Sequence, residues 1–194
     1  MEHTILIVPG LGDSGTEHWQ SYWLKEFKNA QKVFQKDWHR PQLSLWLDSL
    51  SNTINNIEGP IIIVAHRLAV SLINHWSQNN DCKQVVGALL VAPADVDSPL
   101  HTPEETRNFS PMPLTQLPYP SMVITSSNDP YISVARAAYF ASHWGSQFKN
   151  VGAKGHLNSD SQLANWPEGK EQLALLIAQI LDAENNLFDN CSKK

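Results

Sequence analysis

The stretch that most limits how this chain can fold is Pro60-Ile61-Ile62-Ile63-Val64-Ala65-His66-Arg67-Leu68-Ala69-Val70. A short, wholly apolar run meets a sharp turn between small residues, and a helical pattern begins at once. This is the signature of a buried strand, a tight turn and a helix, with the turn residue pushed out above a sheet. The same alternation recurs along the chain. Thr4–Val8 is a β-branched run that stops at Pro9-Gly10, and Trp19, Tyr22, Trp23 and Phe27 share one helical face. Val33–Gln35 reads as a weaker strand, and the apolar spacing from Leu43 to Ile57 as a helix closed by Gly59-Pro60. Val85–Val91, Ser121–Thr125 and Gln147–Val151 read as further strands. Helices are predicted from the turn to about Asn79, over Pro130–Trp144, and from Pro167 to about Glu184.

Strands that alternate with helices in this way predict a parallel sheet covered on both faces, a three-layer αβα sandwich of about six strands. The proline-rich stretch 92–120 reads as an excursion over one end of the sheet. The length of 194 residues predicts one domain spanning 1–194, with 185–194 as a frayed tail. A formal net charge of −5 with no basic cluster argues against nucleic acid. No apolar run is long enough for a membrane span, and residues 1–10 predict no secretory signal. Cys82 and Cys191 have no metal-ligand spacing, so a cytoplasmic setting with reduced thiols is expected.

In an open parallel sheet, ligands bind beyond the carboxyl ends of the strands. The polar residues placed there are the loop Pro9–Gly15, Arg67, Asp129 and His156. The segments that carry them are Val8-Pro9-Gly10 with Glu17-His18-Trp19, Val64-Ala65-His66-x-Leu68, Ser127-Asn128-Asp129-Pro130-Tyr131, Gly155-His156-Leu157-Asn158 and Trp166-Pro167-Glu168-Gly169. Together they resemble the small α/β-hydrolases of the retinoblastoma-binding-protein-nine and YdeN type, from end to end.

The resemblance implies a lidless α/β-hydrolase fold with nucleophile, acid and base in that order along the chain. It implies hydrolysis of small carboxylic esters through acyl transfer to a serine, with no cofactor and no metal. Asp129 matches the acid and His156 the base. The backbone N–H groups of Leu11 and Leu68 match the oxyanion hole, with Gly10, His18 and His66 as pocket candidates; His18 at a helix start and His66 beside the turn also read as structural, packing histidines. The nucleophile of the G-x-S-x-G turn falls on Arg67. A guanidinium carries no lone pair with which to attack a carbonyl, so the resemblance predicts an impaired enzyme or a binding protein built on an old active site. Arg67 is expected to reach toward Asp129 and to pull His156 out of its geometry. The competing reading is an active esterase that uses another residue, with Ser14, Ser71 and Ser127 the nearest serines, or whose native residue 67 is serine.

Read by itself, Asp129 before Pro130 also fits a helix N-cap with proline at N1. Strand, spacing and chain order together favour the acid. The eight histidines show no H-E-x-x-H spacing, and Gly10-Leu11-Gly12 completes no dinucleotide fingerprint. The expected partner is therefore a small acyl ester or similar ligand, with no nucleic acid, no membrane and no identifiable protein partner.

Overall fold

The computed structural model describes residues 3–191. Six parallel strands form one sheet in the order β2-β1-β3-β4-β5-β6, with β1 Thr4–Val8, β2 Ala30–Lys32, β3 Ile61–His66, β4 Val85–Val91, β5 Ser121–Thr125 and β6 Gln147–Asn150. Five helices connect them: α1 Trp19–Glu26, α2 Leu43–Asn55, α3 Leu68–Asn79, α4 Val134–Trp144 and α5 Pro167–Cys191.

The strands' side-chain alternation builds the two outer layers. Leu6, Val8, Ile61, Ile63 and Ala65 point to the face covered by α2, α3 and α4, where Trp46, Leu50, Trp76, Phe140 and Trp144 pack. Ile5, Ile7, Ile62, Val64 and Leu89 point to the face covered by α1 and α5, against Trp19, Trp23, Leu173 and Leu176. β3 lies between β1 and β4 and is buried along its whole length, which is why its sequence is continuously apolar rather than alternating. The strand order reverses between β1 and β3, so the loops after these two strands diverge and leave a crevice at their carboxyl ends.

Three boundaries differ from the sequence expectation by more than two residues. The second strand is Ala30–Lys32, not Val33–Gln35, because an edge strand is defined by its ladder: Ala30, Gln31 and Lys32 pair with Ile5, Leu6 and Ile7. Val33 prolongs that ladder by one N–H to the Ile7 carbonyl, at 3.0 Å. Helix α4 begins at Val134, not Pro130, since Ser133 is its N-cap and its hydroxyl accepts the Arg136 N–H at 3.2 Å. Helix α5 continues to Cys191, past the expected end near Glu184; residues 192–194 of the expected tail lie outside the described residues. The excursion 92–120 contains a 3₁₀ turn at Glu104–Phe109, and buried Phe109 closes over Trp46 with ring centroids 5.6 Å apart.

Gly10 holds the first loop against the central turn. A Cβ there would lie 2.7 Å from the His66 carbonyl oxygen and 3.1 Å from the Leu68 nitrogen, both backbone atoms. Gly10→Ala is therefore expected to cost about 1–3 kcal/mol, and to lower Tm by roughly 2–4 °C per kcal/mol in a chain of this size. Denaturant and thermal melts of the variant check it; an unchanged Tm would mean that the two loops are not in contact.

Candidate active site

The turn after β3 has the backbone expected of a strained strand-to-helix elbow. Arg67, the N-cap of α3, sits at φ 58° and ψ −119°, a region that side chains rarely occupy. Its N–H donates to Val91 O at 3.0 Å, and its carbonyl accepts from Val70 at 3.1 Å and Ala94 at 3.3 Å. The turn is thus pinned to β4, to the following loop and to its own helix. Small Ala65 and Ala69, both fully buried, allow the tight crossing.

Asp129 and His156 come from two other loops and meet beneath this turn. His156 Nδ1 donates to the Asp129 carboxylate at 2.8 Å and 3.0 Å, and Asp129 Oδ1 also accepts the Tyr131 N–H at 2.9 Å. The carboxylate is fully enclosed and its imidazole partner nearly so. Asp129 is therefore no helix cap. Its loop is held by Asn128, whose side-chain oxygen accepts from Gly155 N at 2.7 Å, and by Ser126, whose hydroxyl accepts from Lys154 N at 2.9 Å. These two contacts fix the histidine loop to the aspartate loop.

The bond to Asp129 places the histidine proton on Nδ1, so Nε2 faces the site as an acceptor. That Nε2 is buried and has no hydrogen-bond partner among the described residues. The N–H groups of Leu11 and Leu68 likewise meet no backbone acceptor among the described residues. An imidazole oriented in this way can serve as a proton acceptor.

Arg67 does not do what the sequence suggested. Its guanidinium lies 4.8 Å above the Tyr131 ring, while Asp129 and His156 keep their pairing. The physical reason is competition for one carboxylate: the buried imidazole and the Tyr131 amide already occupy it, and cation–π stacking takes the arginine instead. Burial pulls the guanidinium below its ordinary range, and Tyr131 and Asp129 act in the opposite direction.

His18 and His66 back onto the same place. Their ring centroids lie 4.8 Å apart, and His66 lies 5.2 Å from His156. His66 Nε2 donates to the His156 carbonyl at 3.0 Å, which braces the histidine loop from below. His18 caps α1 by accepting the Gln20 N–H at 3.2 Å through Nδ1. Burial, then the neighbouring His156, lowers the His18 pKa to about 4. Burial, then His18 and His156, takes His66 well below its usual value.

Ser14 and Ser71 are committed elsewhere. Ser71 is fully buried and its hydroxyl donates to Phe109 O at 3.4 Å, while Ser14 donates to Gln20 Oε1 at 2.6 Å. Ser127 is exposed, in the loop after β5. Two contributors were not singled out as site residues from the sequence. Tyr131 touches both Arg67 and His156, the latter with ring centroids 4.5 Å apart, and its place two residues after Asp129 was the available signal. Gln20 ties the ends of β1 and β3 together by donating to Val8 O at 3.3 Å and Val64 O at 3.1 Å; nothing in an amphipathic helix marks such a glutamine.

A family model described as serine hydrolase matches residues 5–175. The chain belongs to the serine hydrolase family. This serine hydrolase-family chain is 30% identical to a YdeN-like hydrolase from Pectobacterium atrosepticum, over 92% of each chain, with a TM-score of 0.81. The ydeN gene product of B. subtilis shares the fold at 18% identity, over 91% of this chain and 100% of that one, with a TM-score of 0.74. A thermophilic esterase from Thermogutta terrifontis shares it at 13% identity, over 93% and 91%, with a TM-score of 0.67. No curated protein matches the chain. Among the described residues of this family member, no helix is long and apolar enough to cross a membrane, and no cluster of three or more His, Cys, Asp or Glu side chains is arranged to hold a metal ion.

Proposed function

We propose that this chain is a catalytically silent relative of the serine esterases, a binding protein that keeps the acyl-transfer frame and lacks its nucleophile. In this reading Arg67 stands where the serine would, Asp129 orients His156 as the base, and Leu11 and Leu68 supply the oxyanion N–H groups beside Gly10, His18 and His66. The observation that carries it is the intact Asp129–His156 pair, bonded at 2.8 Å, facing an elbow whose residue is an arginine.

In a working enzyme of this kind the imidazole takes the serine proton, the oxygen attacks the ester carbonyl, and the N–H pair holds the resulting oxyanion. Here the first step has no hydroxyl to start from. Losing the serine in other triads costs about a millionfold in turnover. The bulk of Arg67 adds to that, since its side chain lies over Tyr131 where the acyl group would sit. The proposed occupant is a small acyl-type ligand in a cytoplasmic setting, without cofactor or metal.

The wild-type protein is expected to give no stoichiometric adduct on incubation with an alkyl fluorophosphonate, read by intact mass. One phosphonyl group per chain would overturn the silent reading in favour of an active hydrolase with another nucleophile.

A further inference from the structure

Two of the segments marked in the sequence, Glu17-His18-Trp19 and Trp166-Pro167-Glu168-Gly169, come together in the fold. The rings of Trp19 and Trp166 lie 4.9 Å apart, and Trp166 runs nearly parallel to Trp23 at 6.0 Å. Gly169 makes room for this arrangement, because a Cβ there would collide with the Trp166 ring. The loop that runs from His156 to Trp166 is strained. Leu157, Gln162, Ala164 and Trp166 all have positive φ, between 44° and 51°. Side chains rarely adopt that region, and it persists only where the surroundings hold it. Leu157, directly after His156, is fully buried at φ 50°.

What holds the loop can be followed bond by bond. Before the imidazole, the Lys154 and Gly155 N–H groups donate to the side-chain oxygens of Ser126 and Asn128. At the imidazole's own residue, the carbonyl accepts from His66. After it, the Asn158 N–H turns back on Ser161 within the same loop, at 3.3 Å. The first tie from outside the loop, among the described residues, is the Trp19 indole, whose Nε1–H donates to Leu157 O at 2.7 Å in a buried contact. The next is Trp23, whose Nε1–H reaches Asn165 O at 2.8 Å, far along the loop from His156. Trp19 also stands in a fixed frame. Its neighbour Gln20 donates to Val8 O and Val64 O, on the strands that lead to the first loop and to the turn at residue 67. The first turn of α1 therefore ties the histidine loop to those two strands. A phenyl ring at position 19 fills core and cannot make this bond.

We propose that Trp19 is a positioning residue for His156, its indole N–H holding the Leu157 carbonyl so that the imidazole keeps its bond to Asp129 and presents Nε2 to residue 67. The assignment rests on the proposed reading of His156 as the base and deepens it. Trp23 ties the far end of the same loop and does not set the imidazole.

The test removes one N–H at a time. Codon suppression places 3-benzothienylalanine, which keeps the fused ring and lacks the N–H, at position 19 or at position 23. In the otherwise wild-type protein the readout is the low-field ¹H resonance of the His156 Nδ1–H, assigned by its loss in His156→Gln. The change at 19 is expected to shift or broaden it, as is Trp19→Phe, and the change at 23 to leave it in place. Each replacement removes one indole hydrogen bond from the same ring cluster, so lost stability alone does not produce this split. In an Arg67→Ser background, fluorophosphonate labelling should slow by about 10–100-fold with the change at 19, the range that a lost orienting partner or a displacement of about 1 Å costs elsewhere. A resonance unmoved by the change at 19, equal movement by the change at 23, or a smaller fall in labelling rate would each overturn the role of Trp19. An unlabelled Arg67→Ser protein with Trp19 intact overturns instead the reading of His156 as the base for residue 67.

Discussion

Arg67→Ser is expected to turn this protein into an esterase. The variant should hydrolyse p-nitrophenyl acetate at least ~10³-fold faster than the wild type, because the triad serine elsewhere accounts for about a millionfold. The rest of the arrangement is already in place: His156 is oriented by Asp129 at 2.8 Å, its Nε2 has no partner among the described residues, and the turn at φ 58° is pinned by Val91 and Ala94. In the proposed reading, a serine hydroxyl on that turn gives up its proton to the unengaged imidazole nitrogen. Adding Asp129→Asn to the serine variant should cost up to about 10⁴-fold, the price of holding the imidazole in the wrong tautomer. Arg67→Gly separates strain from chemistry. It removes the side chain from a positive-φ residue and leaves turnover at the wild-type level. A serine variant no faster than the glycine variant would show that the pair under the elbow is not competent.

The second large effect is acid lability. His18 is buried and uncharged in the folded state, with its pKa lowered to about 4. In the unfolded chain an imidazole titrates near its ordinary value of about 6.5. The folded form therefore binds fewer protons between these values, and stability is fully present above about pH 6.5 and falls as the pH drops toward 4. Between about pH 6.5 and 4 the loss from this group is on the order of 3 kcal/mol. His66 shifts in the same direction for the same reason, burial first and its imidazole neighbours second. His18→Asn keeps an acceptor to cap α1 and removes the titrating ring. Urea denaturation at pH 7 and at pH 4 should show a smaller loss for the variant, whatever its absolute stability. Equal losses would place the acid sensitivity elsewhere.

What could be read from the residues alone follows from which interactions are local. β3 and its turn were visible because a strand buried on both faces has to be apolar throughout, and because small residues must flank a tight crossing. The parallel sheet and the placement of Asp129 and His156 at strand ends follow from the strand–helix alternation; the strand order, and with it the switch point between β1 and β3, does not. The second strand was displaced because an edge strand is fixed by its hydrogen-bond partner, and Ala30-Gln31-Lys32 has no apolar signature. The start of α4 was misplaced because Asp129-Pro130 mimics a helix start, while the carboxylate is engaged by His156, 27 residues later. The position of Arg67 could not be foreseen, since it depends on a carboxylate already being occupied and on Tyr131 offering a face. The imidazole cluster of His18, His66 and His156 joins residues scattered over the whole chain, and no spacing announces it.

The most direct measurement is peptide-mapped fluorophosphonate labelling of Arg67→Ser beside the Arg67→Ser/His156→Gln double variant. One phosphonyl group on residue 67 of the single variant, and none on the double, is the predicted result. An unlabelled single variant, or a label that maps to another residue, would contradict the claim that residue 67 is the turn served by His156.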